Sequence, residues 1–134
     1  MAELIELEVA TPEREVVREQ VTAVQIPAAE GYLGVLPGHA PLLSLLGTGT
    51  LSYHVAGKRK ALAVQGGFLE VLAEHVRVLA DVAEIGEEID VATARAELAA
   101  AEEQLNHSGN ADPQPLLDRV ALAQARVQAG EQKQ

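Results

Sequence analysis

Apolar and polar residues alternate with two different periods along this chain, and the change falls near Gly86. Before it the period is two, the mark of half-buried strands. Residues 4–9 (Leu-Ile-Glu-Leu-Glu-Val) predict a first strand that Thr11-Pro12 ends. Glu15–Val17 predicts a short second strand and Val21–Ile26 a third. Leu51, Tyr53 and Val55 alternate with Ser52 and His54, which predicts a strand buried on one face only. Ala56-Gly57-Lys58 reads as a hairpin turn with Lys60–Val64 as the returning strand. Gly47-Thr48-Gly49 and Gln65-Gly66-Gly67 read as further turns. Phe68–Leu72 and Val76–Leu79 form a closing pair joined near Ala73-Glu74-His75. Many short strands with frequent turns predict an antiparallel sandwich or barrel.

Within this half, Gly31–Leu43 (Gly-Tyr-Leu-Gly-Val-Leu-Pro-Gly-His-Ala-Pro-Leu-Leu) interrupts an apolar run with glycines and prolines. Pro37 and Pro41 exclude a helix and a continuous central strand. The stretch predicts a strand over Tyr32–Leu36, a turn at Pro37-Gly38 and a new strand from about Leu42. Proline presets φ at the second turn position and glycine accepts a positive φ at the third, so the turn is type II. A stiff, partly apolar corner of this kind is either a sheet bend or a surface that docks on a partner.

After Gly86, Val91, Ala94, Leu98, Ala101 and Leu105 recur at three- and four-residue steps, a helical stripe. Asp90 is placed to cap it. Asn106–Pro115 is rich in loop formers. Asp112-Pro113 is positioned to start a second helix, with Leu116, Val120, Ala123 and Val127 as its stripe and Gly130 as its expected end. Two alanine-rich stripes pack closely as an antiparallel hairpin. Small side chains bury little area, at roughly 25 cal/mol per Å². The hairpin is therefore expected to be marginal and able to change its packing, unlike the strand-rich half.

Composition narrows the chemistry. The chain has 134 residues, enough for one medium domain or two small ones. Tyr32, Tyr53 and Phe68 are its aromatics, so the core is built from Leu, Val, Ile and Ala. It has no cysteine, hence no disulfide or thiolate chemistry. No stretch is long and apolar enough for a membrane-spanning helix, and the N-terminus has no signal-peptide pattern. The net charge of −10 argues against nucleic acid and against anionic lipid. Glu84, Glu87, Glu88, Asp90, Glu97, Glu102 and Glu103 cluster around a single cation, Arg95. They are either a solvated face or a surface that attracts basic neighbours.

His39, His54, His75 and His107 show no metal-ligand spacing. His39 is either a hydrogen-bonded loop residue or a partner contact. No serine has a nucleophile context, and Gly57-Lys58-Arg59 lacks the surroundings of a phosphate-binding loop. The paired carboxylates Glu87-Glu88 and Glu102-Glu103 belong to an exposed helical region, not to a shielded acid. No enzyme is predicted. Arg119, Arg126 and Lys133 are seven apart and share a helix face, either as a solvated stripe or as a basic strip for an acidic partner.

The motif Gly-x-Leu-Gly-x-Leu-Pro-Gly-His-Ala-Pro-Leu, followed by Gly66-Gly67-Phe68-Leu69-Glu70-Val71 and a two-helix tail, resembles the epsilon subunit of the rotary F-type ATP synthase. The resemblance spans essentially the whole chain. It implies a mainly β fold: an N-terminal antiparallel β-sandwich (1–86) docking on the central stalk, then a C-terminal antiparallel helical hairpin (87–134) with a regulatory role. It implies a non-catalytic rotor subunit that couples proton or sodium flow to ATP synthesis. Its partners would be the gamma subunit, the c-ring of the membrane sector and, with the hairpin extended to inhibit hydrolysis, the catalytic alpha/beta head. By the same resemblance, Tyr32, Pro37, Gly38 and His39 would form the c-ring and gamma interface. Arg119 and Arg126 would be the head-facing cations.

Some bacterial members of that family bind ATP in the folded hairpin through a motif resembling Ile-Asp-x-x-Arg-Ala. Here Ile89-Asp90 is present, but Arg95-Ala96 comes two residues late. Residues five apart on a helix point roughly 140° away from each other, so Asp90 and Arg95 converge only if the helix begins after Asp90. Glu84, Asp90 and Arg126 match the expected positions, while Gly130 stands where ATP binders carry another arginine. Weak or absent ATP binding is expected, with no other cofactor and no metal. Tyr32 replaces the family's frequent glutamate, which shifts that contact from charge to aromatic packing. The sparse basic strip implies modest inhibition. The expected location is peripheral, on the cytoplasmic side of a bacterial plasma membrane, in preference to a thylakoid. The competing readings are a sandwich-plus-hairpin adaptor outside energy coupling and a small nucleotide-processing enzyme. The missing phosphate loop and nucleophile disfavour the latter.

Overall fold

Eight strands precede two helices in a computed structural model that describes residues 3–132. They are β1 (Ile5–Ala10), β2 (Glu15–Val21), β3 (Ala23–Ala28), β4 (Gly31–Val35), β5 (Leu42–Leu45), β6 (Thr48–Val55), β7 (Lys58–Val71) and β8 (His75–Ile85). A single 3-10 turn at Gly86–Glu88 leads to α1 (Val91–Asn106) and α2 (Gln114–Glu131).

The long strands β7 and β8 belong to both layers of the sandwich. The far half of β7, Phe68–Val71, pairs with β5 on one side and with His75 onward on the other. β1 and β2 extend that first layer. The near half, Lys58–Gln65, pairs with β6, which continues through β3 to β4 as the second layer. Gly66 and Gly67 stand where the layers meet, at φ +69° and +104°. The β7–β8 register is the same before and after them (Gln65 opposite Val82, Gly67 opposite Ala80). They therefore form a kink inside one strand, not the expected turn. Gly67 lies so close to the Leu79 carbonyl that a side chain there would collide with backbone.

Three more strand expectations need correction. Thr48 and Gly49 belong to β6, not to a turn. β1 runs parallel to β8, Glu6 opposite His75 through Ala10 opposite Leu79, within an otherwise antiparallel set. No local turn joins these distant strands, so no local signal revealed their direction. β6 is buried on both faces: Leu51 and Tyr53 face the sandwich interior, while Thr50 and Ser52 are covered from outside.

Two apolar clusters result. The larger fills the sandwich with Ile5, Leu7, Val9, Ile26, Leu51, Leu62, Val64, Leu69, Val76 and Val78 among others. Their alternation along β1 and β8 is the sequence pattern made physical. The smaller cluster joins Ala61 and Ala63 of β7 to Ile89, Ala94, Ala125 and Ala129. Small residues on both sides let α2 lie close against β6 and β7. Gly86 takes part: a Cβ there would stand 2.8 Å from the Ala61 carbonyl oxygen and closer still to that of Ala129.

The helices form the expected antiparallel pair. Asp90 caps α1, its Oδ1 accepting from Thr93 N–H at 3.2 Å. Asp112 Oδ1 accepts from Gln114 N–H at 3.0 Å at the start of α2. Gly130 does not end α2; it is buried within the last turn, where its missing side chain leaves room for Val91 and Ile89.

Candidate functional site

Two surfaces stand out. The first begins at the corner after β4. His39 N–H donates to the Leu36 carbonyl at 3.2 Å, across Pro37 and a Gly38 with φ +87°. This is the expected type II turn. Gly38 N–H also donates to the Ala73 carbonyl at 2.9 Å, which ties the corner to the β7–β8 turn. His39 Nδ1 lies 2.7 Å from the Ala40 carbonyl, as a hydrogen-bonded loop histidine does. Tyr32 stands near the other end of β4, exposed, with its ring laid across Gly49 and its hydroxyl accepting from Thr50 N–H at 3.1 Å.

Beside the corner the first layer presents an apolar row that sequence reading missed. Leu45, Phe68 and Leu79 stand opposite one another on three adjacent strands. Leu45 is 66 % exposed, Phe68 47 % and its neighbour Leu43 71 %. Leu36 and Leu72 are exposed as well. An adjacent row pairs charges of alternating sign, Glu70 opposite Arg77 and Arg77 opposite Glu8, with Arg77 Nε donating to Glu8 Oε1 at 2.8 Å. Contiguous exposed apolar residues bordered by charge mark an interaction face. The available signal was β5 itself (Leu-Leu-Ser-Leu), which is apolar on both faces although only one can turn inward.

The second surface is the hairpin's seat. Arg126 is 18 % exposed in its side chain; its Nε donates to Glu84 Oε1 at 2.8 Å and its second edge to Glu97 Oε2 at 2.5 Å. The hydrogen bond to Glu84 raises the Arg126 pKa above its ordinary value, against the opposing effect of burial. The two carboxylates come from β8 and α1, so one guanidinium joins sandwich, first helix and second helix. Arg119 is exposed and donates to Gln104 of α1. The predicted basic strip thus faces α1 in this packing, and Lys133 lies outside the described residues. Helix α1 does begin after Asp90, as convergence with Arg95 requires, but Arg95 pairs with Glu131. Glu84 and Arg126 meet, while Asp90 serves as the α1 cap. A groove of about 250 Å³ between the helices is lined by Glu97, Ala101, Arg119, Leu122, Ala123 and Arg126.

Among the described residues no group of His, Asp and Glu is arranged to hold a metal. No described helix is long and apolar enough to cross a membrane. The whole is a kinked sandwich with an exposed apolar face on one layer and a helical hairpin seated on the other.

Comparison with known proteins supplies the family. Residues 4–86 match the family model of the ATP synthase delta/epsilon chain beta-sandwich domain. The chain is 59 % identical over 134 residues to the ATP synthase epsilon chain of Solibacter usitatus, covering 99 % of this chain and all of that one. It is 48 % identical over 109 residues to the epsilon chain of Koribacter versatilis, covering 81 % and 77 %. A chain in the Euglena gracilis mitochondrial ATP synthase structure (OSCP/F1/c-ring) superposes with a TM-score of 0.76 at 25 % identity, over 98 % of this chain and 82 % of that one. A chain from the Tetrahymena thermophila mitochondrial ATP synthase central stalk/c-ring shares the fold, with a TM-score of 0.59 at 16 % identity over 93 % and 95 %. The protein belongs to the ATP synthase epsilon chain family. As such it is a non-catalytic subunit of ATP synthase, a membrane-associated complex.

Proposed function

We propose that this epsilon chain is a rotor subunit of the central stalk, coupling proton or sodium flow to ATP synthesis. Residues 1–86 are the docking unit and residues 87–134 the regulatory unit. The observation that carries the reading is the row Leu45, Phe68 and Leu79 with Leu43, left exposed beside a corner that two backbone hydrogen bonds hold rigid. A soluble monomer gains nothing from such a row, whereas a gamma subunit seated on it would bury it. Tyr32, Pro37, Gly38 and His39 would then meet the gamma subunit and the polar loops of the c-ring. The Solibacter and Koribacter relatives support a bacterial plasma membrane, with the chain peripheral on its cytoplasmic side.

The test is co-purification from native membranes with the quadruple variant Leu43→Ser, Leu45→Ser, Phe68→Ser, Leu79→Ser beside the unaltered chain. The unaltered chain should bring down gamma and c-ring subunits and the variant should lose them while keeping its fold. Retention of both partners by the variant would move the interface elsewhere. Absence of both from the unaltered sample would favour an adaptor outside energy coupling.

The hairpin reading is that α2 leaves its seat and extends to the alpha/beta head, presenting Arg119 and Arg126 and restraining ATP hydrolysis modestly. Its seat is built from alanines and one ion cluster, which supports a small free-energy difference between docked and released forms. Deleting residues 88–134 should raise hydrolysis by the reconstituted head; an unchanged rate would remove the regulatory role and leave the rotor role standing. ATP is at most a weak ligand of Glu84, Asp90 and Arg126. Both edges of Arg126 already carry carboxylates, and Arg95 is paired with Glu131.

A further inference from the structure

Thr50 lies at a junction that neither docking nor inhibition accounts for. The β3–β6 ladder ends at Gln25 opposite Ser52, two residues before Thr50 would find a partner. Pro27, two residues further along β3, directs its carbonyl to Gly47 N–H at 2.7 Å instead. The Thr50 N–H is satisfied by a side chain from another strand, the Tyr32 hydroxyl at 3.1 Å. That contact needs Gly49, because a Cβ there would stand 2.5 Å from the Tyr32 oxygen and 2.9 Å from Pro27 Cβ. On the outer face of the same residue, the Thr50 hydroxyl lies 3.0 Å from Gln128 Oε1 and 3.4 Å from the Ala125 carbonyl, both on α2. Thr50 is buried, so neither its N–H nor its hydroxyl has water as a ready alternative.

We propose that Thr50 is a positioning residue that couples Tyr32, at the docking edge of the sandwich, to the seating of helix α2. With α2 seated, Thr50 is held from outside and its N–H is fixed toward the Tyr32 hydroxyl. With α2 released, the hydroxyl loses both acceptors, β6 loses its cover, and the Tyr32 ring is free to leave Gly49. By linkage the effect is reciprocal: whatever immobilises Tyr32 favours the seated helix, and whatever pulls Tyr32 away favours its release. Every contact is within one chain, so the coupling stands or falls independently of what the docking edge meets.

The test is amide hydrogen exchange on the full, isolated chain, reading the Thr50 amide and the α2 amides from Ala121 to Gly130. Tyr32→Phe keeps the ring and removes the acceptor. It should speed exchange at Thr50 and also, severalfold, along α2, whose hydrogen bonds here run to Thr50. Gln128→Leu alters only the helix and should speed exchange at the Thr50 amide. Thr50→Val should loosen both ends, and Thr50→Ser, which retains the hydroxyl, should restore most of the protection. If Tyr32→Phe speeds Thr50 while α2 keeps its full protection, the coupling is refuted. Should Tyr32→Phe loosen the whole sandwich, seen as faster exchange at Val76 and Val78, Gln128→Leu decides: an unchanged Thr50 amide overturns the proposal. Indifference of α2 to the Val/Ser choice at Thr50 overturns it equally.

Discussion

Replacing Gly86 with alanine tests whether the hairpin is held by close backbone approach. The added Cβ would stand 2.8 Å from the Ala61 carbonyl oxygen, nearer still to that of Ala129, and 3.0 Å from the Ala129 carbonyl carbon, against ordinary contact beyond 3.4 Å. Both neighbours are backbone, one in a central strand and one in α2, so neither can rotate aside. The strand is fixed by pairing on both sides, so the helix must withdraw by more than about 0.6 Å. Overpacking of this kind costs roughly 1–3 kcal/mol. Each 1–2 kcal/mol changes a population ratio by a factor of about 5–30, so exchange of the Ala123–Gly130 amides should accelerate by at least fivefold. The sandwich amides at Leu7, Val76 and Val78 should keep their rates, because they lie in the other apolar cluster. Gly130→Ala is the control. Its Cβ would meet side chains and not backbone, the Val91 Cγ2 methyl at 2.7 Å and the Ile89 Cγ2 methyl at 3.3 Å. Alanine also gains roughly 1 kcal/mol over glycine inside a helix. That variant should therefore disturb α2 less than Gly86→Ala does. Equal acceleration in both clusters on Gly86→Ala, or none in either, would refute the reasoning that the close approach belongs to a separately releasable seat.

Other expectations follow from the same geometry. Arg126→Met keeps the apolar stem but leaves Glu84 and Glu97 facing each other unpaired; at roughly 1.5–3 kcal/mol for bonds to a charged group, α2 protection should fall at least tenfold, and less so at high salt. The Tyr53 phenol, raised to about 12 by burial first and by Glu19 and Glu87 next, should ionise well after an ordinary tyrosine in an ultraviolet titration. Its folded pKa is above its unfolded one, so the stability it contributes is complete below about pH 10 and is lost as the pH rises toward 12. Tyr53→Phe should flatten that loss, and a curve of unchanged slope would speak against the assignment. Calorimetry of the isolated chain with ATP should show no micromolar binding, and a micromolar constant would mean that phosphate displaces the carboxylates from Arg126.

Local pattern determined much of this protein. Alternation along β1, β6 and β8 located strands because a pleated strand must turn every second side chain inward. Pro37-Gly38 specified its turn because the two residues admit few other backbone angles. Asp90 and the Val91–Leu105 stripe marked a helix, since caps and three- and four-residue steps are read within a single turn. What escaped was whatever depended on a neighbour distant in sequence. Gly66-Gly67 looks like a turn until β8 and the meeting of two layers make it a kink. Ser52 looks solvent-facing yet is buried, and its neighbour Thr50 is covered by α2. Gly130 looks like a helix stop until Ile89 and Val91 occupy the space beside it. Arg126 was legible as a cation on a helix face. That it would be clasped by carboxylates from β8 and α1 was decided only when three separate segments came together, because an ion pair depends on distance in space and leaves no periodic trace along the chain.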